Sequence, residues 1–375
     1  MNASVAMGLV SQYHSDRMCC FMSEGSLPNQ EVCLERPKGM VDKATFRQLC
    51  GEDYMMSAED ADLLLQKHGL GKLKRVEKRE GNFLNSLYDC ETDQGSSYIV
   101  KIRFRGGHET LEADQRVTSA LREVLPVAPI CFLDLDCDIL SHACLVLSKL
   151  PGELAETVFE GEGHTARIAA SRRMGEIMAV IHSLPVTCDL APGRNLFRLN
   201  WWKESITRGL YDRPDMRSEI DKIHPSFYGR LEESLSRISL PSFDEQLCLV
   251  WGDPKFHNFL LRRDKDDHLT SGVFDFESSG IGNWVFDFLY VEGNFRRGQA
   301  DGIYRDPEYV EAFYGAYTDA GGVVPEISEQ ERVLRDVVLK ANGGGWWWDG
   351  AKILPPRIGS VLDDVLRGLE ELVNG

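Results

Sequence analysis

The 375-residue chain carries 42 Lys and Arg against 59 Asp and Glu, a formal net charge of −17, with 43% hydrophobic and 27% charged residues. That surplus of acid argues against a duplex nucleic-acid binder, which needs a basic face, and suits a cationic partner. No apolar run reaches the ~18 residues of a membrane span, no basic-then-apolar leader opens the chain, and the ten cysteines form no Cys-x-x-Cys pair. The expectation is a cytoplasmic protein, monomer or homodimer, whose thiols are small buried hydrophobes.

The length exceeds a usual single core, so two lobes are expected. Residues 1–40 mix Ser, Asn, Pro and Met without sustained periodicity, and 1–56 is read as a partly disordered extension. SAEDADLLLQKHGLG (57–71) predicts a helix, with Ser57 and Asp60 spaced as a capping box and Gly69 as its stop. LKRVEKREGNFLNSLYDCETDQGSSYIVKIRF (73–104) predicts three strands, the third containing Lys101. A helix over 109–124 and two strands in PVAPICFLDLD and HACLVLSKLPGE lead to a seam at Pro151-Gly152. Beyond it, ARIAASRRMGEIMAVIHSL (166–184) stripes Ala170, Met174, Ile177, Met178 and Ile181 along one helical face. Residues 186–246 resist assignment. LVWGDPKFHNFLL (249–261) then breaks an apolar run with Gly-Asp-Pro. A hairpin is expected from FLL (259–261) through a polar tip to GVFDF (272–276). The last helix stripes Val361, Leu362, Val365, Leu366, Leu369 and Leu372.

Three features could serve phosphoryl transfer, which needs a cation near the phosphates, oxygen ligands for Mg²⁺ and a group that takes the nucleophile's proton. Lys101, inside an apolar strand, is costly unless its ammonium meets an anion; Glu112 on the next helix is the candidate partner, with Glu109 as its rival. Asp253 and Asn258 bracket the Gly-Asp-Pro loop, where the aspartate could accept a hydroxyl proton and the asparagine bind Mg²⁺. Lys255 between them could meet the γ-phosphate, while His257 is read as structural. Asp275 ends a strand 22 residues after Asp253, and a hairpin would return it beside Asn258. Singly, an edge lysine, a polar turn and an acid opening a turn explain each feature; their order along the chain favours chemistry.

The chain resembles the aminoglycoside phosphotransferase and choline kinase group over residues 73–291, most strongly at VWGDPKFHNFLL and GVFDFESSGIGNWVFDFLYV. The resemblance implies an α+β, two-lobed protein-kinase-like fold, with a small β-rich nucleotide-binding lobe over 57–150 and a larger α-rich catalytic lobe over 151–375. It implies Asp253 as catalytic base, Asn258 and Asp275 as Mg²⁺ ligands, and Lys101 as the phosphate-binding lysine. Gly81, Asn82 and Asn85 fall in the loop over the phosphates, Ser148 in the hinge segment LVLSKLPGE, and Asp287 in a structural position. ATP is the expected donor, with GTP open. Trp251 stands where the group usually has histidine, a residue thought to support the loop. No G-x-x-x-x-G-K-[ST] occurs, which excludes a P-loop kinase.

The expected acceptor is a small, cationic molecule, first an aminoglycoside-type antibiotic. Choline, homoserine or a sugar is the second reading, and a catalytically silent nucleotide-binding module the third. Acids that could face such a substrate are Glu204, Asp212, Asp215, Glu219, Asp221, Glu292, Glu308 and Glu311. Trp201-Trp202 and Trp346-Trp347-Trp348 could stack on a ring or cage an amine, although core packing explains most such rings.

Overall fold

The computed structural model describes residues 54–79, 85–104, 108–161, 163–186, 190, 201–210, 214–238, 247–265, 267–298, 307–351 and 358–374. Helix α1 (Ala58–Lys67) opens on the anticipated capping box: Ser57 Oγ accepts from the Asp60 N–H at 3.0 Å, and Asp60 Oδ2 accepts in return from the Ser57 N–H at 3.4 Å. Strands β1 (Leu73–Lys78), β2 (Asn85–Thr92), β3 (Ser97–Arg103), β4 (Ile130–Asp134) and β5 (Cys144–Ser148) form one antiparallel sheet in the order β1-β2-β3-β5-β4. Helix α2 (Glu109–Leu121) connects β3 to β4.

The two faces of this sheet differ because successive strand residues point oppositely. Val100 and Ile102 of β3 join Leu64 and Leu65 of α1 and Tyr88 of β2 in a buried cluster. Lys101 and Arg103, out of phase with them, share the other face. Register then sets Asn85 opposite Arg103, and Leu145 opposite Lys101. Residues 54–56, assigned from sequence to the extension, are tied to this sheet: the Tyr88 hydroxyl accepts from the Met56 N–H (2.8 Å) and donates to the Tyr54 carbonyl (3.0 Å).

After β5 come a short β6 (Glu153–Leu154), α3 (Ala155–Gly161) and the long α4 (His164–Ser183). Within the stretch 186–246 lie three helices, α5 (Trp201–Leu210), α6 (Pro214–Ile223) and α7 (Phe227–Arg237). Strand β7 (Leu247–Val250) pairs with β10 (Gly280–Asn283), while β8 (Phe259–Asp264) and β9 (Asp267–Val273) make the expected hairpin, beside β6. Its strands run further toward the tip than the apolar pattern indicated, with Asp264 paired to Asp267. Helices α8 (Val285–Gly298), α9 (Pro307–Asp319), α10 (Glu329–Ala351) and α11 (Ile358–Asn374) complete the order.

The chain separates into two compact units. The first contains both sides of the Pro151 seam: the five-stranded sheet, α1–α4, β6–β10, α8 and α9. The second gathers α5–α7, α10 and α11 around Ile206, Ile220, Leu231, Leu362, Leu366 and Leu369. Of the stripe read in the last helix, Leu362, Val365, Leu366, Leu369 and Leu372 are buried, and Val361 packs at the edge of the same cluster.

Candidate active site

Every group of the site described next lies in the first unit. Strand β7 ends at Val250, and the chain turns sharply through Trp251 and Gly252. Gly252 has φ +82°, and a β-carbon there would stand 2.1 Å from the Ser278 carbonyl oxygen, so only glycine fits. The buried Asp287 carboxylate accepts the next two amides, from Trp251 at 2.7 Å and Gly252 at 2.9 Å. Asp253 follows, buried to 3% exposure, with Lys255 Nζ 2.7 Å from Oδ1 and 3.0 Å from Oδ2. The same ammonium sits 5.6 Å over the Tyr290 ring. Asn258 closes the loop by donating Nδ2–H to the Asp253 carbonyl at 2.8 Å and to Oδ2 at 3.3 Å. Its amide nitrogen is committed to Asp253, so its oxygen is the atom it can offer a metal.

The hairpin brings the second acid in. Phe259 pairs with Val273, and the Phe274 N–H continues the ladder to the Asn258 carbonyl at 3.1 Å, which places Asp275 beside Asn258. Asp275 itself is left-handed, φ +66°, a conformation that aspartate tolerates better than most residues and that concentrates at functional sites.

Lys101 meets Asp275 across the fold. Its Nζ lies 2.6 Å from Asp275 Oδ1, 2.9 Å from Asp114 Oδ2 and 2.7 Å from Glu277 Oε2. Burial alone would lower the pKa of that ammonium; the three carboxylates overcome it and hold Lys101 well above the usual lysine range. The helical partner is therefore Asp114, not Glu112. At ~100° per residue the two positions lie ~160° apart around α2, and the side facing the sheet is that of Asp114. Asp114 also accepts from the Phe276 N–H at 3.1 Å, fixing the segment after Asp275. Burial, against the pull of Lys101 and with the repulsion of Glu277 and Asp114, pushes Asp275 up to about 6. For Glu277 the same burial is outweighed by Lys101 and Arg103, and its carboxyl is held down to about 2. Asn85 donates to Glu277 Oε2 at 2.9 Å, and Arg103 Nη1 stands 3.4 Å from Oε1. Ligand atoms of Asp114, Asp275 and Glu277 lie within 4.8 Å of one another, an all-oxygen set suited to a hard divalent cation.

The other sequence candidates fall as follows. Ser148 ends β5, with its N–H on the Pro129 carbonyl at 2.8 Å. Gly81, Asn82, Asp212 and the side chains of Trp201, Glu204 and Trp346–Trp348 lie outside the described residues. Trp202 is core of the second unit, 3% exposed. Glu219 pairs with Lys222 (2.6 Å), Glu308 with His164 (3.4 Å), and Glu292 accepts from the Tyr314 hydroxyl (2.5 Å). His257 is 3.2 Å from Glu156 Oε1 on α3. Burial would raise the Glu156 carboxyl, but hydrogen bonding and charge from His257, with Lys255 behind, hold it below the usual range. Buried Cys90 and Cys144 are pushed up to about 12 and are inert, as expected; Cys137 departs from that expectation and is exposed.

Against known proteins, the sequence profile of the phosphotransferase enzyme family, APH, matches residues 75–327, from β1 past the Asp253 loop and α9. The chain belongs to the phosphotransferase enzyme family. No curated protein matches the phosphotransferase in sequence. Among solved structures it is similar to the ADP-bound aminoglycoside phosphotransferase APH(2'')-Ib, at 15% identity and TM-score 0.56, over 85% of this chain and 99% of that one. It is similar also to macrolide 2'-phosphotransferase MphH from Brachybacterium faecium, at 14% identity and TM-score 0.52, over 83% and 98%. The GDP and kanamycin complex of APH(2'')-IIIa aligns at 12% identity and TM-score 0.55, over 85% and 98%. These likenesses establish the α+β, protein-kinase-like fold.

Sequence reasoning on the phosphotransferase missed Asp114, Glu277, Arg103 and Glu156. Two carried a readable signal. Arg103 is in phase with Lys101 on a strand, and Glu277 follows Asp275 at the same spacing of two.

Proposed function

We propose that the phosphotransferase moves the γ-phosphoryl group of ATP, or GTP, to a hydroxyl of a cationic small molecule of the aminoglycoside type. Residues 57–150 act as the nucleotide-binding lobe, and those after 151 carry catalysis and acceptor binding. The observation that carries this reading is one continuous chain of contacts. Lys101 holds Asp275, the N–H of Phe274 next to Asp275 bonds to the Asn258 carbonyl, and Asn258 is bonded to Asp253.

Asp253 takes the acceptor's proton, its carboxylate held in place by the Lys255 ammonium 2.7 Å away and by the Asn258 amide. Lys255 can turn from Asp253 to the γ-phosphate as charge develops on it. Lys101, released in part from its three acids, steadies the α/β-phosphates, with Gly81 and Asn82 as further phosphate contacts, Asn85 at the start of β2 bonded to Glu277, and the Ser148 segment as adenine hinge. Asn258 and Asp275 would hold Mg²⁺, and the carboxyl of Asp275, raised by burial and by the nearby Glu277 and Asp114, suits a position that a cation relieves. Magnesium, when bound, supplies neutralisation of the phosphate oxygens. The acidity of the chain supports a cationic acceptor, and the named structural neighbours act on aminoglycosides and macrolides.

The test is a panel of aminoglycosides, choline, homoserine and sugars with ATP or GTP, scored by nucleoside diphosphate release. Aminoglycosides are expected to stimulate release, and Asp253→Asn to abolish it while folding and nucleotide binding persist. Full turnover by Asp253→Asn refutes the role of that carboxylate. Stimulation by choline, homoserine or a sugar alone reassigns the acceptor.

A further inference from the structure

The shape of the Asp253 loop depends on a buried carboxylate that has buried partners of its own. Both oxygens of Asp287 are engaged by backbone, Oδ2 by the Trp251 N–H and Oδ1 by the Gly252 N–H. From α4, His182 brings Nε2 to 3.1 Å of Oδ2, and its Nδ1 lies 3.0 Å from the Tyr317 hydroxyl on α9. The side chains of His182 and Asp287 are 3% and 0% exposed. A carboxylate only accepts, so Nε2–H is the donor to Oδ2, and the tautomer protonated at Nε2 accepts at Nδ1 from the tyrosine O–H. Burial pushes the Tyr317 hydroxyl above the ordinary tyrosine value, so it keeps the proton it donates.

The residue at 251 does not do this work itself. The Trp251 ring is fully buried, and its Nε1 has no hydrogen-bond partner among the described residues. Its hydrogen bonds are made by backbone, the N–H to Asp287 and the carbonyl accepting from Ser279 Oγ at 3.0 Å, while the ring packs 5.9 Å from that of Phe276. A loop that carries indole at position 251 is braced by an imidazole supplied from α4, 105 residues away from Asp287 in sequence.

We propose that His182 is a positioning residue: oriented by Tyr317, it fixes Asp287 so that the Trp251 and Gly252 amides, and through them Asp253, stay in their working geometry. The idea rests on the reading of Asp253 as base, but its structural half can be tested without turnover. Three variants decide it. His182→Phe keeps a ring and removes both nitrogens; His182→Gln keeps an N–H donor in similar reach; Tyr317→Phe loses a single hydroxyl.

In His182→Phe, kcat is expected to fall by about tenfold or more, since small misplacements of a reacting group are costly. The nucleotide KM should stay within about twofold, because nucleotide contacts are made elsewhere. Amide hydrogen exchange should accelerate in the peptide covering 249–254 and stay unchanged in the five-stranded sheet. His182→Gln should recover slow exchange at 249–254 and part of kcat. Tyr317→Phe should move both readouts the same way by a smaller factor, and it decides the matter if His182→Phe does not fold. Wild-type exchange at 249–254 in both Phe variants overturns the proposal. So does a fall in kcat accompanied by exchange that rises evenly across the unit, which marks His182 as ordinary core. A wild-type enzyme inactive on every acceptor counts against the function proposed above, whereas the exchange result stands on its own.

Discussion

Replacing Gly252 with alanine probes the turn that presents Asp253. The new β-carbon would lie 2.1 Å from the Ser278 carbonyl oxygen and 2.8 Å from its carbon. Carbon and oxygen settle at about 3.3 Å, so the turn and the Ser278 segment must part by roughly 1 Å. Holding alanine at φ +82° adds about 1–2 kcal/mol, and overpacking adds about 1–3. The expected destabilisation is thus about 2–5 kcal/mol, a large part of the ~5–15 that a folded protein holds. A displacement of that size beside Asp253 should also lower turnover by about 100-fold. Urea unfolding and nucleoside diphosphate release measure the two effects. Gly315→Ala is the control: it lies within α9, its added β-carbon meets nothing within 4 Å, and it should gain up to ~1 kcal/mol. A Gly252→Ala enzyme with wild-type urea midpoint and turnover would refute the packing argument.

Lys101→Met leaves Asp114, Asp275 and Glu277 around an apolar tip. Thermal melting should show a loss of about 3–5 kcal/mol at neutral pH that shrinks toward pH 5, since protonation removes the uncompensated charge. Asp275→Ala should leave nucleotide affinity, measured by calorimetry, insensitive to Mg²⁺, whereas the wild-type affinity should rise with it. Glu156 has a depressed folded-state pKa, so its contribution is present above its unfolded value and lost as pH falls through the folded one. Glu156→Gln should therefore be less stable than wild type at pH 6–7, and urea midpoints of the two should converge in acid.

The local parts of the site were readable because local chemistry creates them. A lysine within SYIVKIRF needs an anion, and Asp-x4-Asn between two apolar runs makes a loop with two oxygens facing one place. Choosing among the acids of α2 needed something else, namely which side of the helix meets the sheet, and that is fixed by packing of Leu111 against Leu145. Helices α5–α7 escaped notice because each is short: Met216 and Ile220 make the whole buried stripe of α6. The hairpin tip read as polar loop because the end of β8 is exposed and polar, Arg262, Arg263 and Asp264 being held in the ladder by backbone pairing. His182 reads as one more residue of an amphipathic helix, since nothing within α4 reveals the carboxylate 105 positions later.

The pairing of Lys101 with Asp275 spans 174 residues, and the bond from Asn85 to Glu277 spans 192. Cutting at Pro151 would therefore not liberate two sound fragments. The first would keep Lys101 and Asp114 but lose Asp275 and Glu277, and the second would keep those two carboxylates without the Lys101 ammonium that lies between them. What looks in the sequence like a natural place to divide the molecule is, electrostatically, the place where neither half can be left alone.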